Sequence, residues 1–324
     1  MLTHRERLEL CISGSPPDRV PVALWRHFPV DDQTPFDLAR AAYAFQELFD
    51  FDLLKLTPAS SYCLKDWGAM DEWRGASEGT RDYTHRIIQN PEDWLKLSVL
   101  DPSHGQLAEA IQSLEILRKQ VQENTPIIQT IFNPLSQAKN LVGGNNLLVH
   151  IRRFPEALHA GLETITESTR RFIEKAVEMG VDGIFYAVQH AQYNLLTEDE
   201  YRSFGIHYDL QLLEQAGGLW LNMLHIHGIE VMFDLFSDYP VQIINWHDRE
   251  TSPSLPGGLA CFPGVVCGGV NRDTLTYGTA EQIRNEALEA VQATEGTRMI
   301  LGTGCVTPII TPFGNILAVR QSVD

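Results

Sequence analysis

Apolar positions along this chain follow two periods. Short runs of β-branched and other apolar residues occur at 20–25, 53–57, 126–131, 182–188, 219–225, 241–246, 265–270 and 298–303, and they read as buried strands. Between them lie longer amphipathic stretches, at 35–49, 104–124, 155–180, 197–216, 228–238, 279–294 and 312–321, which read as helices. Several of these open on Pro, Thr, Ser or Asp, the residues that start a helix. Strand–helix alternation over a whole chain predicts a parallel α/β architecture. Eight such units in 324 residues predict a (β/α)8 TIM barrel, a single domain over residues 1–324 with a longer insertion after strand 2. Residues 66–90 read as turns and short strands covering one end of it. The Gly143-Gly144-Asn145-Asn146 cluster reads as a loop, because no phosphate-loop lysine follows it.

Barrels of this kind carry their active sites at the C-terminal ends of the strands, so polar residues ending predicted strands are the ones to weigh. Leu224-His225-Ile226-His227-Gly228 ends the fifth strand. Residues i and i+2 of a strand share a face, so both imidazoles converge on one point at a metal-ligand spacing. Gly302-Thr303-Gly304-Cys305 ends the eighth, where glycines let the backbone turn and leave a thiol near the mouth. Two imidazoles and one thiolate with an open fourth position are the ingredients of a catalytic zinc site. Asn245-Trp246-His247-Asp248-Arg249 ends the sixth strand, offering His247 or Asp248 as a fourth ligand, a ligand orienter or a proton-transfer group. His190, after strand four, is a third proton-transfer candidate. Arg26 and His27, after strand one, suit an anionic substrate group, and Lys55, Tyr62 and Asn133 are further substrate-binding candidates at the same mouth. Taken singly, each of these also reads as a solvated or ion-paired residue.

Composition removes other classes. With 42 acidic against 25 basic residues the net charge is −17, a field that repels phosphate backbones and anionic membrane surfaces. Neither nucleic acid nor a membrane is an expected partner. The N-terminal Met1-Leu2-Thr3-His4-Arg5-Glu6-Arg7 is charged and leads into no apolar signal core, so the expected location is the cytoplasm. Five scattered cysteines suit reduced thiols better than a disulfide framework. No dinucleotide, phosphate-loop, nucleophile-elbow or HExxH signature is present.

The order of motifs resembles the uroporphyrinogen decarboxylase superfamily, which includes zinc-dependent methyltransferases acting between corrinoids and thiols. The resemblance rests on Asp18-Arg19-Val20-Pro21-Val22, on Phe51-Asp52-Leu53-Leu54-Lys55-Leu56 and on Glu178-Met179-Gly180-Val181-Asp182-Gly183. It extends through Leu195-Leu196-Thr197-Glu198-Asp199-Glu200-Tyr201 and the ending from Gly302 to Arg320. Decarboxylase members carry an arginine-rich segment after strand one and an aspartate after strand two. Here only Arg26 stands in the first, and Lys55-Leu56-Thr57-Pro58 holds no aspartate. Methyltransferase members carry His-x-Cys after strand five and a second Cys after strand eight, and this chain matches that frame with His225, His227 in place of the first Cys, and Cys305. The resemblance therefore implies one zinc per chain on His225, His227 and Cys305, with His247, Asp248 or His190 handling a proton. It also implies methylcobalamin or another corrinoid as co-substrate, free or on a separate corrinoid protein, a small-molecule acceptor, and a homodimer. The alternatives are a uroporphyrinogen decarboxylase and, behind it, a metal-dependent hydrolase, whose HxH belongs to the first strand rather than the fifth.

Overall fold

The continuous apolar runs become strands buried on both faces, as parallel sheets require. The computed structural model describes residues 2–121 and 125–324. Its strands are β1 (Leu54–Leu56), β2 (Met70–Glu72), β3 (Asp82–His85), β4 (Ile127–Phe132), β5 (Gly183–Val188), β6 (Met223–Ile226), β7 (Ile243–Trp246), β8 (Val265–Val270) and β9 (Met299–Thr303). Seven of them form one parallel sheet in the order β1-β4-β5-β6-β7-β8-β9, while β2 and β3 pair antiparallel outside it. Register aligns Ala187, His225, Asn245 and Cys267 in one row across β5 to β8. Helices pack against the sheet from outside. Pro35–Phe49 is representative: Thr34 accepts from Asp37 N, Pro35 starts the first turn, and Leu38, Ala39, Ala42, Gln46 and Phe49 form the buried stripe.

The expected first strand at 20–25 is reduced to one parallel bridge between Val22 and Leu301. Pro21 has no N–H to give, and the N–H of Val22 goes to the Asp52 carboxylate at 2.7 Å rather than to a ladder carbonyl. The segment still bonds to both sheet edges, since Ala23 N donates to Leu301 O on β9 and Asp52 N, just before β1, donates to Val22 O. Asp52 is fully buried and also accepts from Arg7, Arg19 and His4, tying the first helix, His4–Ile12, to this seam.

Three other expectations change. The stretch 197–216 splits into Glu198–Tyr201, a π-helical turn at Arg202–Ile206, and His207–Gln215. One extra residue in that turn brings Tyr201 and Asp209 onto a common face, where Tyr201 donates to the Asp209 carboxylate at 2.7 Å. In 228–238 only Phe233–Phe236 is helical, because Gln192 and Val231 form an antiparallel bridge that holds the preceding residues extended. Gly144 opens the helix Gly144–Arg153 rather than lying in a loop, and Gly143 at φ +93° makes the corner from Pro134–Val142. The stretch 104–124 forms the helix Gly105–Val121, and residues 122–124 lie outside the described residues. Among the described residues no helix is long and apolar enough to cross a membrane.

Candidate metal centre and cavity

Three strand ends meet at the C-terminal side of the sheet. His225 is the third residue of β6, and His227 follows that strand on the same face. His247 follows β7, and Cys305 follows β9 after Gly304. A Cβ on Gly304 would stand 2.6 Å from His247 Cα and 2.7 Å from Trp246 O, so only glycine lets this turn pass close enough to set Cys305 beside the histidines. The Thr303 hydroxyl donates to Cys305 O at 2.6 Å and holds the turn.

Cys305 Sγ lies 3.6 Å from His225 Nε2 and 3.6 Å from His227 Nδ1, and His247 Nε2 lies 3.3 Å from His227 Nδ1. All four donor atoms fall within 4.8 Å of one another. Neighbours orient two of the imidazoles, His225 and His247. Asn245 donates through Nδ2 to Cys267 O and Thr303 O, which fixes its amide so that Oδ1 faces His225 Nδ1 at 2.6 Å. His225 must then carry its proton on Nδ1, leaving Nε2 bare toward the sulfur. Glu250 acts in the same way on His247 Nδ1 at 3.2 Å, and Arg272 bridges Glu250 to Glu78. Burial keeps the imidazoles neutral, holding His227 down to about 3 and His225 well below the ordinary histidine range, and pushes the Cys305 thiol up to about 11. Bare nitrogens facing one another and a thiol are a cation's ligands, so these four residues could hold a metal ion.

A cavity of about 160 Å³ opens beside this cluster, touching His225, His227 and Cys305 but not His247. Trp25, Phe132, Phe185 and Val306 make its apolar wall. Lys55 stands over the Phe185 ring at 4.4 Å and donates to Thr57, with burial holding its amine down to about 7. The segment joining β2 and β3 adds Glu78, Thr80 and Arg81, and it is held down by Glu78–Arg272, Arg81–Asp32 and the bond from Ile309 N to Ser77 O.

Of the residues expected from sequence, His225, His227, His247 and Cys305 come together, and His27 and Lys55 line the cavity. Arg26, Tyr62 and Asn133 lie off it. The Arg26 guanidinium packs over Phe28 and Phe45, at 5.2 and 5.7 Å. The buried Tyr62 hydroxyl is taken by Thr130 O, and Asn133 caps Pro134–Val142 while donating to Asp209. His190 and Asp248 are also outside the lining, Asp248 accepting from Gly269 N with its carboxyl pushed up to about 7 by burial. Lys139, Arg81, Glu78 and Arg272 were not anticipated. The signal for Lys139 is a lone cation in Pro134–Val142, a helix buried along nearly its whole length.

The family model described as uroporphyrinogen decarboxylase (URO-D) matches residues 3–324. A methylated-thiol–coenzyme M methyltransferase of Methanosarcina mazei is 24% identical over 91% of this chain and 78% of its own length. A methylcobamide:CoM methyltransferase, MtaA, of Methanosarcina barkeri is also 24% identical, over 99% of this chain and 98% of its own. Among solved structures, a methyltransferase from M. mazei superposes with a TM-score of 0.87 at 21% identity, covering 99% of this chain and 98% of that one, which establishes the shared fold.

Proposed function

The chain belongs to the uroporphyrinogen decarboxylase family, and on that premise we propose that it is a zinc-dependent methyltransferase moving a methyl group between a corrinoid and a small acceptor. The observation that carries this reading is the donor cluster. A tetrahedral zinc with Zn–N of about 2.05 Å and Zn–S of about 2.3 Å sets its ligand atoms about 3.3 Å apart for N···N and about 3.6 Å for N···S. The separations of 3.3 Å between His247 and His227, and of 3.6 Å from Cys305 to His225 and to His227, fit those edges. His225, His227 and Cys305 would hold the ion, with His247 as a fourth donor whose place an acceptor thiol would take. Zinc bound there would supply a Lewis acid that keeps an acceptor thiol deprotonated.

The chain's own groups then have definite tasks. Asn245 and Glu250 fix the imidazole tautomers, and Trp25, Phe132 and Phe185 keep water from the acceptor. In the transfer the acceptor sulfur gains the methyl group, cobalt keeps the bonding electron pair, and the thiol proton leaves to solvent. We take the corrinoid as supplied from outside, free or on a separate protein, and residues 1–324 as one eight-unit barrel. The Val22 segment, bonded to Leu301 and Asp52, supports closure of that barrel between β9 and β1. Tetrapyrrole decarboxylation is disfavoured because only Arg26 stands in the segment where decarboxylase members are arginine-rich, and it lies off the cavity, packed over Phe28 and Phe45.

Metal analysis of protein purified without chelator, beside His225→Ala and Cys305→Ala, tests the reading. Near one zinc per chain, lost in both folded variants, together with thiol methylation from methylcobalamin, is expected. A wild type with no stoichiometric metal even after zinc is supplied overturns it.

A further inference from the structure

The cavity wall holds a nucleophile that the proposed methyl transfer does not use. Lys55, the middle residue of β1, is 6% exposed, and its amine donates to the Thr57 hydroxyl at 3.0 Å. Among the described residues no carboxylate pairs with it. A buried ammonium without a counter-charge is costly. Burial accordingly holds this amine down to about 7, which leaves about half of it neutral and nucleophilic at pH 7. Lys139, across the mouth, is only half-buried and stands near Arg86.

A second observation is independent of charge. Trp25 Nε1, Arg81 Nε, His27 Nδ1 and the Tyr83 hydroxyl are buried atoms with no partner, and all four residues line the cavity with Lys55. Trp25 and Lys55 pack on the same ring, that of Phe185, at 5.2 and 4.4 Å. His27 is held down to about 3 by burial and then by the charges of Lys55 and Arg81, so these three side chains are neighbours. The tryptophan and arginine nitrogens can only donate, and His27 donates in its Nδ1 tautomer. Buried donors in surplus call for acceptor oxygens, and an ammonium set among them supplies none. A carbamate on Lys55 would meet both demands, removing the buried cation and placing two acceptor oxygens on the same side chain.

We propose that Lys55 is a carboxylation site, its amine adding carbon dioxide to form a buried carbamate whose oxygens take the donors of Trp25, His27 and Arg81. In this step the Nζ lone pair forms the N–C bond, one C=O electron pair of carbon dioxide moves onto its oxygen, and one amine proton leaves to solvent. The remaining N–H keeps the bond to Thr57 Oγ1. The modified side chain is an anion in the space beside the metal cluster. The proposal goes beyond the methyl-transfer reading and stands without it.

Carbon-13 NMR of the full chain equilibrated with carbon-13 bicarbonate, zinc-free and zinc-supplied, tests it. A carbamate resonance is expected in the wild type and should disappear on unfolding in urea. Lys55→Met should remove about one equivalent per chain, while Lys139→Met keeps it, and any carbamate on the terminal amine cancels in that difference. Trp25→Phe deletes one donor and should raise the bicarbonate concentration for half-modification at least about tenfold, the scale of one hydrogen bond to a charged group. Release on unfolding and the Trp25→Phe shift keep the test intact if Lys55→Met fails to fold. No carbamate resonance at a large excess of bicarbonate, a resonance untouched by Lys55→Met, or a half-point unmoved by Trp25→Phe overturns the proposal.

Discussion

Asn245 performs two jobs with one amide, and substituting it separates them. Its Oδ1 accepts from His225 Nδ1 at 2.6 Å, and its Nδ2 donates to Cys267 O at 2.8 Å and Thr303 O at 3.0 Å, all fully buried. Asn245→Leu deletes both jobs. Two buried carbonyl oxygens lose a donor, at about 1–3 kcal/mol each, so zinc-free protein should unfold at lower urea, with stability reduced by about 2–6 kcal/mol. Freed of its partner, His225 no longer presents Nε2 in a fixed tautomer, and loss of such an orienting contact weakens metal affinity about 10–100-fold, or about 1.4–2.7 kcal/mol. Asn245→Asp retains an acceptor for His225 but sets an oxygen against the same two carbonyls. Stability should fall at least as far as in the leucine variant, while zinc affinity holds or tightens because a carboxylate makes the imidazole more basic. Chelator competition gives the affinity, and urea unfolding of the zinc-free protein gives the stability. An unchanged zinc Kd in Asn245→Leu, or an equal loss in both variants, would refute the tautomer reasoning.

Burial alone would raise the Asp52 carboxyl, but bonds from His4, Arg19 and Val22 N outweigh it and hold it at about 2 against 3.8 unfolded. Because that value is depressed, the stabilisation of about 2 kcal/mol is complete above about pH 4 and lost as pH falls through 2, a slope that acid unfolding of Asp52→Asn should lack. Gly304→Ala forces the turn away from His247 Cα and Trp246 O, and metal analysis should find zinc lost together with a lowered Tm. His227→Cys lowers the charge of the donor set by one, so zinc is retained but the bound thiol is less acidic. The acid limb of the pH profile of kcat/KM should then move to higher pH. With a net charge of −17, added salt should speed association of anionic acceptors and leave 2-mercaptoethanol unaffected in stopped-flow measurements.

The convergence of His225, His227, His247 and Cys305 was legible because it rests on local rules. Strand period puts His225 and His227 on one face, and a glycine before a thiol at a strand end marks a sharp turn into the mouth. Beyond His27 and Lys55 the cavity wall was not legible, because its partners are far apart in sequence. Arg272 and Glu78 meet across 194 positions, and nothing local to either announces the other. The first strand shows a different limit. Its apolar run is plain, yet its ladder is broken by a carboxylate 30 positions on, which takes the Val22 N–H. The π-helical turn at Arg202–Ile206 escapes a search at the ordinary helical period, because one inserted residue shifts that period midway.

The donor set and the cavity point to one electrostatic arrangement. Three neutral imidazoles and one thiolate would leave a bound divalent ion with one net positive charge, whereas a set with a second thiolate would leave none. With a metal bound, His rather than Cys at 227 would therefore add charge to a space that already faces Lys55 and Lys139. In most interiors that accumulation would be strongly unfavourable, and here the two carboxylates nearest the cluster, Glu250 and Glu78, are already shared with His247 and Arg272. The remaining positive charge would then have to be met by solvent or by a bound ligand.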